Sequence, residues 1–267
     1  MYSLLFVSRF IHAEAQRILY CKLTLYGWIP PPSETDAHTN HLPEFEARQN
    51  TLLHLLATSA PHAKLVRSLT VEVYGGTIVC RDSYDWRLAS FMREATNLKH
   101  LHLPNGTPGE LLRMISPNLP TKRPIPSDLF ADAFHFRLYS FEFQGQCDSR
   151  SVLLASQPSL TELRLGAVWH RPSVVISTFD KPLLPNLKIL SGHATDKLVI
   201  HLLERPLVKL CLVGKATALR ERMHPELEIL RLVDCDELGN LAEVCPNLRF
   251  LELAGWRTVV SLKSSYL

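Results

Sequence analysis

The residues of this sequence that could carry out chemistry occur in small, isolated groups. His38 and His41 have a spacing that metal ligands use, but no cysteine or further histidine lies at a supporting distance, and their surroundings are polar. Gly75 and Gly76 could form a phosphate cradle, although two glycines directly after a strand usually make a tight turn. We therefore predict solvated histidines and a turn here, and no metal or phosphate site.

Two further groups have simple structural interpretations. Asp234, Asp236 and Glu237 follow a predicted strand, and Asp236 is well placed to cap the N-terminus of the next helix. Cys211 lies within a predicted strand and Cys235 directly after another, and the sequence places no histidine to activate either thiol. We predict that the acidic group caps a helix and that both cysteines pack in the interior.

Motifs of common catalytic and cofactor sites are absent from the sequence. It contains no G-x-S-x-G, no P-loop, no G-x-G-x-x-G, no H-E-x-x-H and no paired cysteine knuckles. Their joint absence favours a binding protein over an enzyme, and it predicts that the chain uses no cofactor and no metal.

A recurring phrase, Leu-x-x-Leu-x-Leu or a close variant, organises the sequence. A proline usually stands shortly before it, and the last four copies are spaced by 20 to 21 residues, which is within the range of leucine-rich repeats. Six clear copies begin at Leu98, Leu160, Leu187, Leu207, Leu227 and Leu248, and two degenerate copies begin at Val66 and Leu138.

The phrase predicts a strand, and the segments between phrases predict helices. The last two leucines of each phrase lie two residues apart and therefore point to one face of a strand. Helical spacing follows in 196–204 and in 238–245, and the proline marks the return to the next strand. Stacked units of this kind predict an α/β leucine-rich-repeat-like solenoid, a horseshoe with a curved parallel sheet and with its helices on the convex side.

The residues between the strand leucines should form the concave face. Two rows are expected there, and they mix both signs of charge with the apolar side chains of Ile189, Ile229 and Phe250, a composition typical of protein-binding surfaces. Arg164, Arg231 and Phe250 are the leading anchor candidates, because arginine and aromatic residues dominate interfaces. The predicted binding residues are His100, His102, Glu142, Glu162, Arg164, Lys209, Arg231, Phe250 and Glu252.

The opening segment carries a family resemblance. Its phrases Val7-Ser8-Arg9 and His12-Ala13-Glu14-Ala15-Gln16-Arg17-Ile18-Leu19-Tyr20 resemble the end of an F-box and the following junction in fungal F-box proteins with degenerate leucine-rich repeats. The resemblance implies an SCF-type ubiquitin ligase, in which the F-box docks on a Skp1-type adaptor and the repeats choose the substrate. The first part of that F-box does not precede Leu4, so the chain is expected either to be a fragment or to have lost adaptor binding.

An alternative function is a stand-alone repeat scaffold without a ubiquitin-ligase role. In either case, we predict a helical cap in residues 1–25 and a repeat domain in 26–267, with insertions near 28–43 and 104–127. The terminal residues 255–267 could add one more strand. The cap would use one apolar helical stripe to cover the open end of the stack: Val7, Phe10, Ile11, Ala15, Ile18 and Leu19.

Charge and cysteine content narrow the class of partner. The 29 basic and 26 acidic residues give a net charge of +3 without a long run of one sign, which argues against a nucleic-acid partner. The six cysteines form no C-x-x-C, the N-terminus has no basic region typical of a signal peptide, and no stretch is apolar for long enough to cross a bilayer. We predict a cytoplasmic or nuclear protein that binds another, unidentified protein and no membrane.

Overall fold

Nine parallel β-strands follow one another along the chain and form a single open sheet. The computed structural model describes residues 2–27, 42–73, 82–103, 134–144, 150–166, 183–214, 219, 223–234 and 241–255. The strands are β1 (Lys22–Gly27), β2 (Ser68–Val73), β3 (His100–Leu103), β4 (Ser140–Phe143), β5 (Glu162–Leu165), β6 (Ile189–His193), β7 (Lys209–Val213), β8 (Ile229–Val233) and β9 (Phe250–Ala254). Each of the eight predicted phrases begins just before a strand and ends within it, in β2 to β9.

The order of the strands in the sheet is the order of the strands in the chain. β1 and β9 are its edges, and every neighbouring pair is parallel. A parallel pair cannot be joined by a tight turn, so the chain must cross back between one strand and the next. In the described residues, helices and turns occupy these crossings.

One hydrogen-bond pattern recurs at the start of the strands. The residue just before a strand and the first residue of that strand both donate their N–H groups to one carbonyl, which lies just before the preceding strand. Lys99 and His100 share the oxygen of Arg67 in this way, at 2.8 and 3.0 Å. The same pattern joins each later strand to its predecessor, as far as Arg249 and Phe250, which share the oxygen of Glu228. Each unit is therefore held in the same register as the one before it.

Three asparagines add a side-chain bond between successive units. Asn97, Asn186 and Asn247 each stand directly before the first leucine of a phrase. Their Nδ2 groups donate to the backbone oxygens of Lys64, Pro158 and Pro225, at 2.7, 2.9 and 2.7 Å. Because each oxygen lies in the turn before the preceding phrase, the amide satisfies a turn carbonyl and joins two units at once.

The helices begin with the longest, at the N-terminus, and become short toward the C-terminus. Their bounds are α1 (Tyr2–Cys21), α2 (Leu42–Thr58), α3 (Ala60–Ala63), α4 (Asp82–Glu94), α5 (Arg150–Ala155), α6 (Lys197–Leu202) and α7 (Leu241–Val244). The predicted helix near 196–204 is confirmed as α6. Asp196 is its N-cap, because the side-chain Oδ1 of Asp196 accepts from the N–H of Leu198 at 2.9 Å. Of the predicted helical segment 238–245, residues 241–245 are described, and they contain the four residues of α7.

The core lies on one side of the sheet. Alternate strand residues are buried, such as Leu163 and Leu165 in β5 and Leu230 and Leu232 in β8. At β6 the covered side is so close to α6 that a Cβ on Gly192 would come 2.5 Å from Cγ2 of Val199, so glycine is needed there. The alternation ends at β9, where Leu251 and Leu253 are each 40% exposed.

The opening helix differs from the predicted cap. Phe10, Ile11, Ile18 and Leu19 of the predicted stripe are exposed, with Phe10 at 75%, so these side chains do not cover the end of the sheet. Tyr20 packs against the core instead, with its ring 5.4 Å from that of His62. A helical cap formed by this stripe is not confirmed, and β1 already begins at Lys22, inside the predicted cap segment.

Several predictions fall wholly or largely outside the described residues. These are the insertions near 28–43 and 104–127, the turn at Gly75-Gly76, the histidines 38 and 41, the cap at Asp236 and the extra strand after Gly255.

Candidate protein-binding face

The side of the sheet opposite the core carries two rows of side chains, here called the open face. Each row has one residue from every strand, and the residues of a row are Cα partners in the strand register. The first row is Lys22, Ser68, His100, Ser140, Glu162, Ile189, Lys209, Ile229 and Phe250. The second row is Thr24, Thr70, His102, Glu142, Arg164, Ser191, Cys211, Arg231 and Glu252.

All nine predicted binding residues lie on this face and in these rows. The sequence prediction named these residues because the period-2 alternation of a strand fixes which residues share a face. It did not include the contributions of β1 and β2. Leu23 and Leu25 alternate in β1 as Leu69 and Val71 do in β2, so the same signal was present in the opening segment.

Exposure shows that the described helices do not cover the open face. Five residues of the open face are exposed: His100, Arg164, Lys209, Arg231 and Phe250. In contrast, the leucines that alternate with the open-face residues in β3, β5, β7 and β8 are buried. Phe250, a large aromatic side chain at the β9 edge, is 55% exposed. The face is therefore accessible to a partner over its described length.

The β3–β5 half of the open face is dominated by ion pairs. Nδ1 of His102 lies 3.0 Å from Oε2 of Glu142, and Nη2 of Arg164 lies 2.6 Å from Oε1 of Glu162. The amide of Gln144 donates to the other oxygen of Glu142 at 3.0 Å. The Arg164–Glu162 ion pair is solvent-accessible and contributes at most about 1 kcal/mol to stability, so its main effect is to neutralise the surface locally.

The β6–β9 half has more apolar side chains than the β3–β5 half. Ile189, Ile229 and Phe250 share the first row, and half-exposed Cys211 lies beside them in the second. Arg231 and Glu252 form one ion pair at 3.2 Å. A mixed surface with apolar and arginine side chains is what protein interfaces use at their centres.

A third row, which the sequence analysis missed, extends the β6–β9 half. His193, Val213, Val233 and Ala254 are Cα partners one pleat beyond the second row, and all four are half-buried. The strands β6 to β9 are one residue longer than the four-residue strands β3 to β5, and this added residue supplies the row. In the sequence, the valines that directly follow Leu212 and Leu232 indicated that these strands continue by one more residue.

The cysteines differ from one another in their exposure. Cys245 is buried, and burial raises the pKa of its thiol to about 11. Cys211 lies on the open face and is half-exposed, so the prediction that it packs in the interior is wrong, because its position in β7 alternates with the buried Leu210 and Leu212. Among the described residues, no group of three histidine, cysteine or acidic side chains could hold a metal ion.

A second exposed apolar surface lies on α1. It consists of Phe10, Ile11, Ile18 and Leu19 and is here called the α1 stripe. A search of the described helices found none that is long and apolar enough to cross a membrane.

Comparison with known proteins adds no assignment. No protein-family model, no curated protein and no solved structure matches this sequence.

Proposed function

We propose that this chain is a leucine-rich-repeat-like solenoid, with its sheet curved into a horseshoe, that binds another protein through the open face. The observation that carries the proposal is the pair of in-register rows that run across all nine strands and that the described helices leave uncovered. A stack of repeats has no deep cleft of its own, but it offers one long surface, which suits recognition of a protein better than catalysis. The chain acts as a non-enzymatic interaction module in the cytoplasm or nucleus.

The recurring hydrogen bonds support the repeat interpretation. Each unit donates two N–H groups to one carbonyl of the unit before it, and the asparagines at 97, 186 and 247 repeat one side-chain bond. Such repetition is expected when each unit packs mainly on its neighbours. A spacing of 20 to 21 residues between the later phrases supports the same interpretation.

The more specific proposal is substrate recognition in an SCF-type ubiquitin ligase. It is supported by the resemblance of the opening segment to an F-box end and by the exposure of the α1 stripe, which an adaptor of the Skp1 type would cover. A stand-alone repeat scaffold is the alternative. The two functions differ in whether the α1 stripe binds an adaptor while the open face binds something else.

Site-specific photo-crosslinking tests both surfaces in one experiment. The photoreactive analogue p-benzoylphenylalanine replaces Phe250 on the open face or Phe10 on the α1 stripe, since both are exposed phenylalanines and the analogue retains the aromatic ring. Lys197, an exposed residue of α6, is the control site. We expect Phe10 to capture a Skp1-type adaptor and Phe250 to capture a different protein, while Lys197 captures neither.

The adaptor capture at Phe10 and the partner capture at Phe250 can fail independently of each other. Capture at Phe250 should disappear when Ile229→Asp is introduced, because Ile229 is its Cα partner in the first row. If Phe10 captures no adaptor, the ubiquitin-ligase role is wrong and the scaffold remains. If Phe250 captures nothing that Ile229→Asp removes, the open face is not the binding surface.

A further inference from the structure

Lys209 is a cation that lies between two isoleucines in the first row of the open face. Its Cα partners in the first row are Ile189 on β6 and Ile229 on β8. Neighbouring strands lie about 4.8 Å apart, so both isoleucines flank the base of the lysine side chain. Cys211 follows two residues later on the same face, and Phe250 continues the row beyond Ile229.

Lys209 also differs from the other charged residues of this region by having no acidic partner. On the open face from β3 to β9, the described carboxylates are all engaged: Glu142 with His102, Glu162 with Arg164, and Glu252 with Arg231. No described residue forms an ion pair or a hydrogen bond with the ammonium group of Lys209, which is exposed.

We infer that the β6–β9 half of the open face binds a protein segment in which apolar side chains flank one carboxylate, and that this carboxylate pairs with Lys209. The inference rests on the proposed function and specifies its partner. Apolar side chains that pack on Ile189 and Ile229 would remove water from Lys209, and a desolvated ammonium is costly unless an anion replaces the water. A carboxylate of the partner at that point compensates for the lost water, so partners that lack the carboxylate bind more weakly.

A polyanion is a poorer match to this surface. Nucleic acids require several free cations along a track, whereas the arginines of the open face are already paired with glutamates of the same face. A partner with one carboxylate among apolar groups matches both Lys209 and its isoleucine neighbours.

The experiment selects peptides from a random twelve-residue library displayed on phage, with the full chain as the target. Three targets are compared: the natural chain, Lys209→Glu and Lys22→Glu. Lys22 is the matched control, because it is an exposed lysine of the same row without a described ion-pair partner, but it lies on β1 and its row neighbour is Ser68. We expect the natural chain and Lys22→Glu to select peptides that contain one Asp or Glu between apolar residues.

Synthetic copies of the selected peptides then give affinities. We expect Lys209→Glu to weaken binding by about tenfold or more, since it replaces attraction by repulsion, and Lys22→Glu to leave it unchanged. A peptide in which the carboxylate is replaced by lysine should recover binding to Lys209→Glu. Recovery of this kind reports a direct pairing, which a general loss of structure cannot imitate.

Other results separate this inference from the proposed function. If the selected peptides bind in a manner that Phe250→Asp abolishes but Lys209→Glu does not affect, the inference is overturned and the open face remains the binding surface. If neither change affects binding, or if no peptide is selected, the inference is overturned and the open face loses its support as well.

Discussion

Replacement of Leu163 by glutamate is expected to remove the folded state of the chain. Leu163 lies in β5, in the middle of the sheet, and its side chain is fully buried in the core. A carboxylate placed there must either stay charged without a partner or take up a proton, and both cost several kcal/mol. Because domains are stable by only about 5 to 15 kcal/mol, and because glutamate also removes apolar contacts, most of the chain should be unfolded.

Arg164→Glu is the matched control on the next residue of the same strand. Arg164 is exposed on the open face, where its ion pair with Glu162 is solvent-accessible. Loss of such a pair costs at most about 1 kcal/mol, and the new like-charge contact adds little more. Urea unfolding followed by circular dichroism would measure both variants. Equal stability of the two would show that β5 does not have one covered and one open side.

Replacement of Gln157 by leucine is the second change with a large expected effect. Gln157 is completely buried, and its Oε1 accepts from the N–H of Leu138 at 2.7 Å. Its Nε2 donates to the backbone oxygen of Phe136 at 3.2 Å and to the hydroxyl oxygen of Ser156 at 3.0 Å. Leucine has a similar volume but leaves a buried N–H and a buried C=O without this partner, so we expect a loss of about 2 to 4 kcal/mol of unfolding free energy.

Thr161→Val is the control for Gln157→Leu. The hydroxyl of Thr161 donates to the oxygen of Tyr139 at 3.0 Å, but the residue is exposed, so water replaces the lost bond and the effect should stay below about 1 kcal/mol. The two free energies come from the same chemical unfolding experiment. If Gln157→Leu is as mild as Thr161→Val, the 134–138 segment is not fixed to the turn before β5 by this amide.

The sequence predicted the strands β2 to β9 and most of the open face because both depend on local periodicity. Leu163 and Leu165 lie two residues apart, so they share a face whatever the rest of the fold does, and Arg164 between them must point away. The spacing of the phrases then indicated parallel neighbours. These two facts predict which residues of β3 to β9 face away from the core.

Side-chain contacts between neighbouring strands were harder to predict. The pairing of His102 with Glu142 and the isolation of Lys209 depend on which residues meet across two strands, and this register is set by turns whose lengths vary along the chain. The α1 stripe shows a second limit. Helical periodicity identifies an apolar stripe, but it does not say which surface the stripe packs on, and Phe10 and Leu19 are exposed instead of covering β1.

The central claim, that the face opposite the core is open to a partner, can be tested most directly by measuring the alkylation of Cys211 with iodoacetamide in the native chain. Peptide mass spectrometry separates Cys211 from Cys245, which serves as the buried control. The pKa of the Cys245 thiol is raised to about 11, so at pH 8 only about one molecule in a thousand carries the reactive thiolate, and burial blocks access as well.

We predict that at pH 8 Cys211 is alkylated in the native chain at a rate near that of the urea-unfolded chain, while Cys245 reacts only after unfolding. Addition of the partner captured at Phe250 should then protect Cys211. If Cys211 is instead as unreactive as Cys245 in the free native chain, the face is covered and cannot be the surface that binds a partner.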